Sequence, residues 1–360
     1  MYAQDVLKSP TYDSILKYRQ LSSDISYSLS ERQIFAKKAV DLSKASKGDS
    51  IILKSNRILS TVMLYSGDYD RFRKLNVENL RLGRELNDSI EIAQSLHNIG
   101  WYHYQSRIQN DSAFYYLTNA VKIHKRLGRT VQQIDALQNL SDILQMEKDY
   151  LGSEEYAISA LMLLEDLPKS ESNLRKAWNL YNILGIVSLE LKRYDEAINY
   201  HQKAKGVADK MEEGQIKRLS SQNNVAFVYK EKGDIENALK YKEVLENPQL
   251  YELDPSFYAL VLDNVAFTRF LDGDKNHDEL ESMFKRAYKM ADSLEDPITK
   301  MASTIDMAKF YKATNNIDSS LKYANETYLL AKQTSENQML LEALMVLSEL
   351  NKGEEGKAYL

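Results

Sequence analysis

The stretch "NNVAFVYKEKGDIENALKY", residues 223–241, decides the fold. An apolar run behind two adjacent asparagines meets Gly233-Asp234, and a second run follows with Ala238 and Tyr241 three residues apart. Glycine ends a helix by taking the left-handed conformation that other residues avoid. Aspartate placed next accepts the unpaired amide hydrogens that open another helix. The stretch therefore reads as one helix-turn-helix unit seen across its turn.

The unit repeats. A small residue in the first run recurs at Ser60, Gly100, Ser141, Gly185, Ala226, Ala266, Ala308 and Ser348, at intervals of 40 to 44 residues. A second mark follows twelve residues later at Phe72, Ser153, Ala197, Ala238 and Ser320, and slightly later at Ala113 and Leu280. A third comes three residues after that, at Leu75, Tyr116, Tyr156, Tyr200, Tyr241, Met283 and Tyr323. A small residue lets two helices approach closely, so this register predicts antiparallel helix pairs with the first two marks facing one another. Turn signals fall between them at Gly67-Asp68, Gly233-Asp234, Gly273-Asp274 and Asn315-Asn316. The expected fold is all-α: a right-handed superhelical solenoid with a period near 40 residues. Residues 1–47 lack the small residue and read as a degenerate N-terminal cap, 48–335 as the repeats, and 336–360 as a C-terminal helix and a truncated last hairpin.

This spacing resembles the tetratricopeptide repeat (TPR). "HNIGWYHY", "ILGIVSLELKRYDEAINY" and "DNVAFTRFLDGD" share with residues 223–241 the pattern N-L-G/A-x-x-Y…G-D-x-x-x-A-x-x-Y, in phase over residues 48–350. The period exceeds the roughly 34 residues usual for TPR, which resembles the longer repeats of the kinesin light chain type. "NDSAFYYLTNAVKIHKRLG", "YALVLDNVAFTRFLDGD" and "IDSSLKYANETYLLAKQ" are similar to the TPR arms of Bacteroidetes-type sensor histidine kinases. That resemblance implies an exported sensory array preceding a membrane-spanning helix and a kinase, none of whose catalytic motifs occurs in this chain. The start "MYAQD" and the end "LNKGEEGKAYL" fit export and a natural continuation, so a periplasmic location is expected, with a cytoplasmic one as the alternative.

Composition narrows the chemistry. Net charge is −5 with 28% charged residues, and the densest basic cluster, "KIHKRLGR" at 122–129, closes a predicted helix whose C-terminus favours cations. No concentrated basic face is available for nucleic acid. No apolar run reaches the roughly 20 residues that span a bilayer, so any membrane attachment needs a segment outside this chain. Cysteine is absent, which removes disulfides and thiolate chemistry together. His97, His103, His124, His201 and His277 are dispersed, and phosphate loops and nucleophile elbows are missing. "DGDKNHDELE" places Asp272, Asp274, Asn276 and Asp278 like half a calcium loop. However, His277 replaces the needed glycine and Met283 the bidentate glutamate, so an inter-helix turn is the plainer reading. No enzyme activity, metal or cofactor is expected.

What remains is recognition. In TPR arrays the first helices line the concave groove, with side chains three before and one after the small residue pointing inward. The resemblance assigns the earlier position to Arg57, His97, Gln138, Asn182, Asn223 and Asp263, and the later to Thr61, Trp101, Asp142, Ile186, Phe227 and Phe267. Hydrogen-bonding groups beside an aromatic strip suit an extended peptide. Arg57 faces Thr61, so the lysine-and-asparagine clamp for chaperone tails is not met. Asn98, Asn139, Asn224 and Asn264, one position further on, are expected to bind neighbouring backbone and order the stack; Trp101 could pack between helices rather than face the groove. The expected partner is a peptide or protein, self-association included. The function expected from the resemblance is sensing for a two-component kinase, with an adaptor or regulator arm of a cytosolic protein as the alternative.

Overall fold

The computed structural model of the chain describes residues 10–46, 48–106, 110–245, 247, 249–334 and 336–350. Among the described residues the regular structure is helical throughout, without a strand. The chain divides into two compact units, Met1–Pro168 and Lys169–Leu360. The division falls inside the 48–335 block, at the connection "LPKS", where the proline ring bars helix continuation.

The first unit holds α1 (Pro10–Ser23), α2 (Leu29–Ala45), α3 (Asp49–Tyr65), α4 (Tyr69–Glu85), α5 (Ser89–Ser106), α6 (Asn110–Arg126), α7 (Thr130–Met146) and α8 (Tyr150–Glu165). Consecutive helices pack as pairs. The spacing of small residues explains how closely. A Cβ on Gly100 would fall 2.7 Å from Leu117 Cγ on the partner helix. Ser141 and Ser153, the first and second marks of one repeat, face one another with their hydroxyls 3.0 Å apart and both fully buried.

The second unit holds α9 (Glu171–Glu190), α10 (Tyr194–Ala208), α11 (Gln215–Lys232), α12 (Ile235–Leu239), α13 (Leu250–Leu253), α14 (Pro255–Leu271), α15 (His277–Ser293), α16 (Pro297–Ala313), α17 (Ile317–Thr334) and α18 (Asn337–Leu350). Its core gathers Phe284, Phe310 and Tyr311, with Phe310 edge-on to Phe270 at 5.3 Å. The first helices α11, α14 and α16 lie side by side.

The turn chemistry is as the sequence implies. Gly233 has φ +82° and Asp234 Oδ1 accepts from the Asn237 amide at 3.2 Å; Gly67 and Asp68 do the same at the end of α3. The opening stretch departs from expectation further on. Its second helix, α12, stops after five residues and continues as a 3₁₀ turn, Lys242–Val244, before α13. Two prolines within eight residues, in "NPQLYELDP", leave no room for a full helix there. Val244 and Leu250 still bury themselves against Leu219 and Val261, so the broken segment fills the place of a second helix. At the C-terminal end, α18 turns Ala343, Val346 and Leu347 to the core and leaves Leu341 exposed. Residues 351–360, read as a truncated hairpin, lie outside the described residues.

Candidate functional site

In the first unit the expected groove residues are scattered in their surroundings. Arg57 is exposed and reaches Glu91 at 3.9 Å. Thr61 is exposed and bonds the Arg57 carbonyl at 3.1 Å. His97 sits 6.2 Å from the ring of the fully buried His124. Trp101 is half-buried and meets Phe72 and Tyr69 edge-on at 5.6 and 5.7 Å, so it takes the packing role. Gln138 and Asp142 are half-buried. Loss of solvent raises the Asp142 carboxyl to about 7.

In the second unit the residues three before the small position are not a free surface. Asn182 and Asn223 are 8% and 7% exposed, and Asp263 is fully buried. The expectation that they project openly into a groove is therefore corrected. Phe227 is the outward-facing aromatic at 37% exposure, Ile186 is half-buried and Phe267 is 8% exposed.

What covers them is the asparagine of the next repeat. Asn139 Nδ2 lies 3.3 Å from His97 Nε2, Asn224 Nδ2 donates to Asn182 Oδ1 at 3.2 Å, and Asn264 Nδ2 reaches Asn223 Oδ1 at 3.5 Å. Each link joins positions 41 or 42 residues apart, so in these three repeats an amide reaches back to the repeat before; the Gly185 repeat carries Ile183 at that position. The partners are side chains, not the backbone expected from the sequence. Asn98 differs slightly, donating to Asn76 on α4 at 2.8 Å, and Asn76 donates to Ser60 at 2.7 Å. The His201 ring joins this ladder, its Nδ1 being 3.1 Å from Asn182 Oδ1. Because that oxygen also accepts from Asn224, the hydrogen of His201 belongs on Nδ1.

The ladder changes character at its last step. The position that carries asparagine at 98, 139, 224 and 264 carries Asp306 on α16, and it stands beside Asp263 on α14. Burial raises both carboxyls above the ordinary aspartate range, and at Asp263 the neighbouring Asp306 adds to it. Among the described residues neither oxygen of Asp263 has a hydrogen-bond partner, and the buried Ser303 hydroxyl next to it has none. Two lysines lie over the pair. Lys309 binds Glu342 of α18 at 2.7 Å and approaches Asp306 at 4.0 Å. Lys230 of α11 lies over the Phe227 and Phe267 rings at 4.5 and 5.5 Å, and its ammonium reaches Asn264 Oδ1 at 3.5 Å.

Beside Lys230, α11, α12 and α14 leave a narrow slot of about 20 Å³ lined by Ala226, Phe227, Ala238, Tyr241, Val261 and Val265 among others. It opens where the second helix is cut short, and Ala226 is half-exposed there although Gly185, Ala266 and Ala308 are buried. Asp306, Lys309 and Ser303 were not among the groove positions read from the sequence. Extending the same two registers by one repeat finds Lys309, one after Ala308, and Asp306, two before it. The half calcium loop is an inter-helix turn: Asp274 pairs with Arg269 at 2.7 Å, and Asn276 caps α15.

No family model matches the chain, and no curated protein does. Solved structures do. The apo form of the quorum sensor NprR from B. thuringiensis is similar with a TM-score of 0.70 at 12% identity, over 89% of this chain and 87% of that one. A tetratricopeptide repeat protein from Parabacteroides merdae gives 0.55 at 13% identity, over 81% and 98%. A Rap protein complexed with Competence and Sporulation Factor gives 0.55 at 12% identity, over 97% and 99%. At these identities the likeness is one of fold, and the fold is a TPR-like array of helix pairs.

Proposed function

We propose that this chain is a non-enzymatic recognition arm, and that the first-helix face of the second unit binds an extended peptide or protein segment. One observation carries the reading: α11, α14, α16 and α18 bring the exposed Phe227 ring and the half-buried Lys230, Lys309 and Glu342 together over the buried acids Asp263 and Asp306. Buried polar groups without partners are costly, on the order of 1–3 kcal/mol each, and a face that retains them is arranged for a ligand rather than for the fold alone. The similar structures of a quorum sensor and of a Rap protein in complex with Competence and Sporulation Factor support a partner of this kind.

The finer reading is a sensory array for a two-component histidine kinase, held in the periplasm. It rests on the wording of residues 110–128, 258–274 and 317–333. Binding would bias the kinase by its differential affinity for two states of the array. Two experiments test these readings. Fluorescein-labelled randomised peptide pools should bind the chain saturably, and Phe227→Ala should weaken binding without moving the melting midpoint. Failure of every pool overturns peptide recognition. The open reading frame should continue past Leu360 into a spanning helix and kinase motifs; a different effector there favours the adaptor reading.

A further inference from the structure

The links between repeats provide an internal standard for what each position is built to hold. At three steps an amide hydrogen from one repeat meets an acceptor on the previous one, Asn139 with His97, Asn224 with Asn182 and Asn264 with Asn223, while the Gly185 repeat carries Ile183 at the donor position. At the step from α14 to α16 the donor is replaced by Asp306 and the acceptor is Asp263, so two carboxyls face each other beside the Ser303 hydroxyl, and neither carboxyl, when ionised, supplies a hydrogen to the other. The site is fully buried at Asp263 and 7% exposed at Asp306, so water does not screen the pair freely. Ionised carboxylates accept and cannot donate. A cation or a proton must therefore complete this step.

The surroundings favour a cation. Asp263, Asp306 and Glu342 converge with Glu231 near them, against Lys230 and Lys309. Lys309 is taken by Glu342, and Lys230 makes no ion pair within 4.0 Å of any carboxylate among the described residues. Instead Lys230 rests on two phenyl faces, which attract cations through the ring quadrupole. Phe227, Phe267 and the acid pair thus form a cation box occupied by a resident lysine that is only loosely tied to it.

We propose that Asp263 and Asp306 form the subsite for a cationic side chain of the bound peptide, an arginine guanidinium or lysine ammonium, which enters over Phe227 and displaces the Lys230 ammonium. The planar guanidinium suits the site better, since it donates several hydrogens to two carboxylates and stacks on an aromatic face. This inference rests on the peptide-recognition reading above.

The test separates the two. Amino-terminally capped, fluorescein-labelled peptide pools are prepared with one central position fixed as arginine, as citrulline (the same shape without the charge) or as glutamate, and the other positions randomised. The intact chain should bind the arginine pool at least about tenfold more tightly than the citrulline pool and bind the glutamate pool least. Asp263→Asn and Asp306→Asn, isosteric and charge-neutral, should bring arginine and citrulline within about twofold while leaving citrulline binding unchanged. Lys230→Met should tighten the arginine pool, because the competing cation is gone. If the wild-type chain binds arginine and citrulline pools equally, the pair holds a shared proton, and the inference is overturned while peptide recognition survives. If discrimination persists in both asparagine variants, the cation is held elsewhere and the assignment fails. If no pool binds, both readings fall.

Discussion

The imidazole of His201 fills the space above the Cα of Gly185. A Cβ at position 185 would fall under 3.0 Å from the ring atoms Cε1, Nε2 and Nδ1. The same ring is 2% exposed and is held by Asn182, which sits one turn before the glycine. Glycine is needed here for close approach rather than for its backbone freedom. Gly185→Leu should therefore lower the melting midpoint strongly. Overpacking alone costs about 1–3 kcal/mol, and the displaced ring also leaves its bond to Asn182. Ala226→Val is the control: Ala226 borders the slot beside α12, so the added methyls should leave the midpoint within about 0.5 kcal/mol of wild type. Urea unfolding of both variants checks the register.

Asn182 should behave as a structural residue. Its oxygen accepts from Asn224 and His201, and its Nδ2 donates to the Trp178 carbonyl at 3.0 Å. Asn182→Ala leaves the buried donors unpaired and should destabilise by about 1–3 kcal/mol. Phe227→Ala, at an exposed ring, should leave stability nearly unchanged. Denaturant midpoints for the two variants, measured side by side, check the division between scaffold and surface.

Acid should weaken the fold through the buried histidines. Burial lowers His124 and His201 to about 4, against an ordinary value of 6.5. Between those values the unfolded chain binds the proton and the folded one does not, so stability is full above pH 6.5 and falls as the pH drops towards 4. The slope is at most about 1.4 kcal/mol per pH unit per histidine. The difference in unfolding free energy between wild type and His124→Phe, followed from pH 7.5 to pH 4.5, should change by that sign. A flat difference would show that His124 is not held neutral.

Asp142 works in the opposite direction. Its carboxyl is raised to about 7 from 3.8 by loss of solvent, so the folded chain holds the proton longer than the unfolded one. Its contribution is present at low pH and is lost as the pH rises through 7. Asp142→Asn should therefore be more stable than wild type at pH 8 and equal to it near pH 4. Chemical unfolding at the two pH values decides this, and an equal midpoint at pH 8 would show the carboxylate to be solvated.

Several turns use a left-handed residue without a glycine. Lys148 and Lys192 have φ of +63° and +60°, where glycine stands at Gly67, Gly128, Gly233 and Gly273. A side chain in this conformation costs roughly 1–2 kcal/mol. Lys192→Gly should raise the unfolding free energy by a few tenths to about 1 kcal/mol, since glycine's greater freedom when unfolded offsets part of the gain. Gly233→Ala should lower it by a similar amount. Thermal midpoints of the two variants should move in opposite directions.

The sequence by itself determined the repeat. Small residues at fixed intervals, with Gly-Asp and Asn-Asn pairs between them, specify helix pairs because helix approach and helix termination are local matters, settled within a few residues. It also marked the first-helix positions that carry polar and aromatic groups. It could not show the turns built on Lys148 and Lys192, because nothing in those side chains announces a left-handed backbone. The short α12 was legible only in part: the prolines signal an interruption, but burial of Val244 and Leu250 decides where the broken segment lies. The fate of Asn182, Asn223 and Asp263 belonged to tertiary structure alone. Whether such a side chain opens to solvent depends on what the next repeat, some 41 to 43 residues along the chain, lays across it. That neighbour is an amide over Asn182 and Asn223 and a second acid over Asp263, and only the packing of α14 against α16 brings the two acids together.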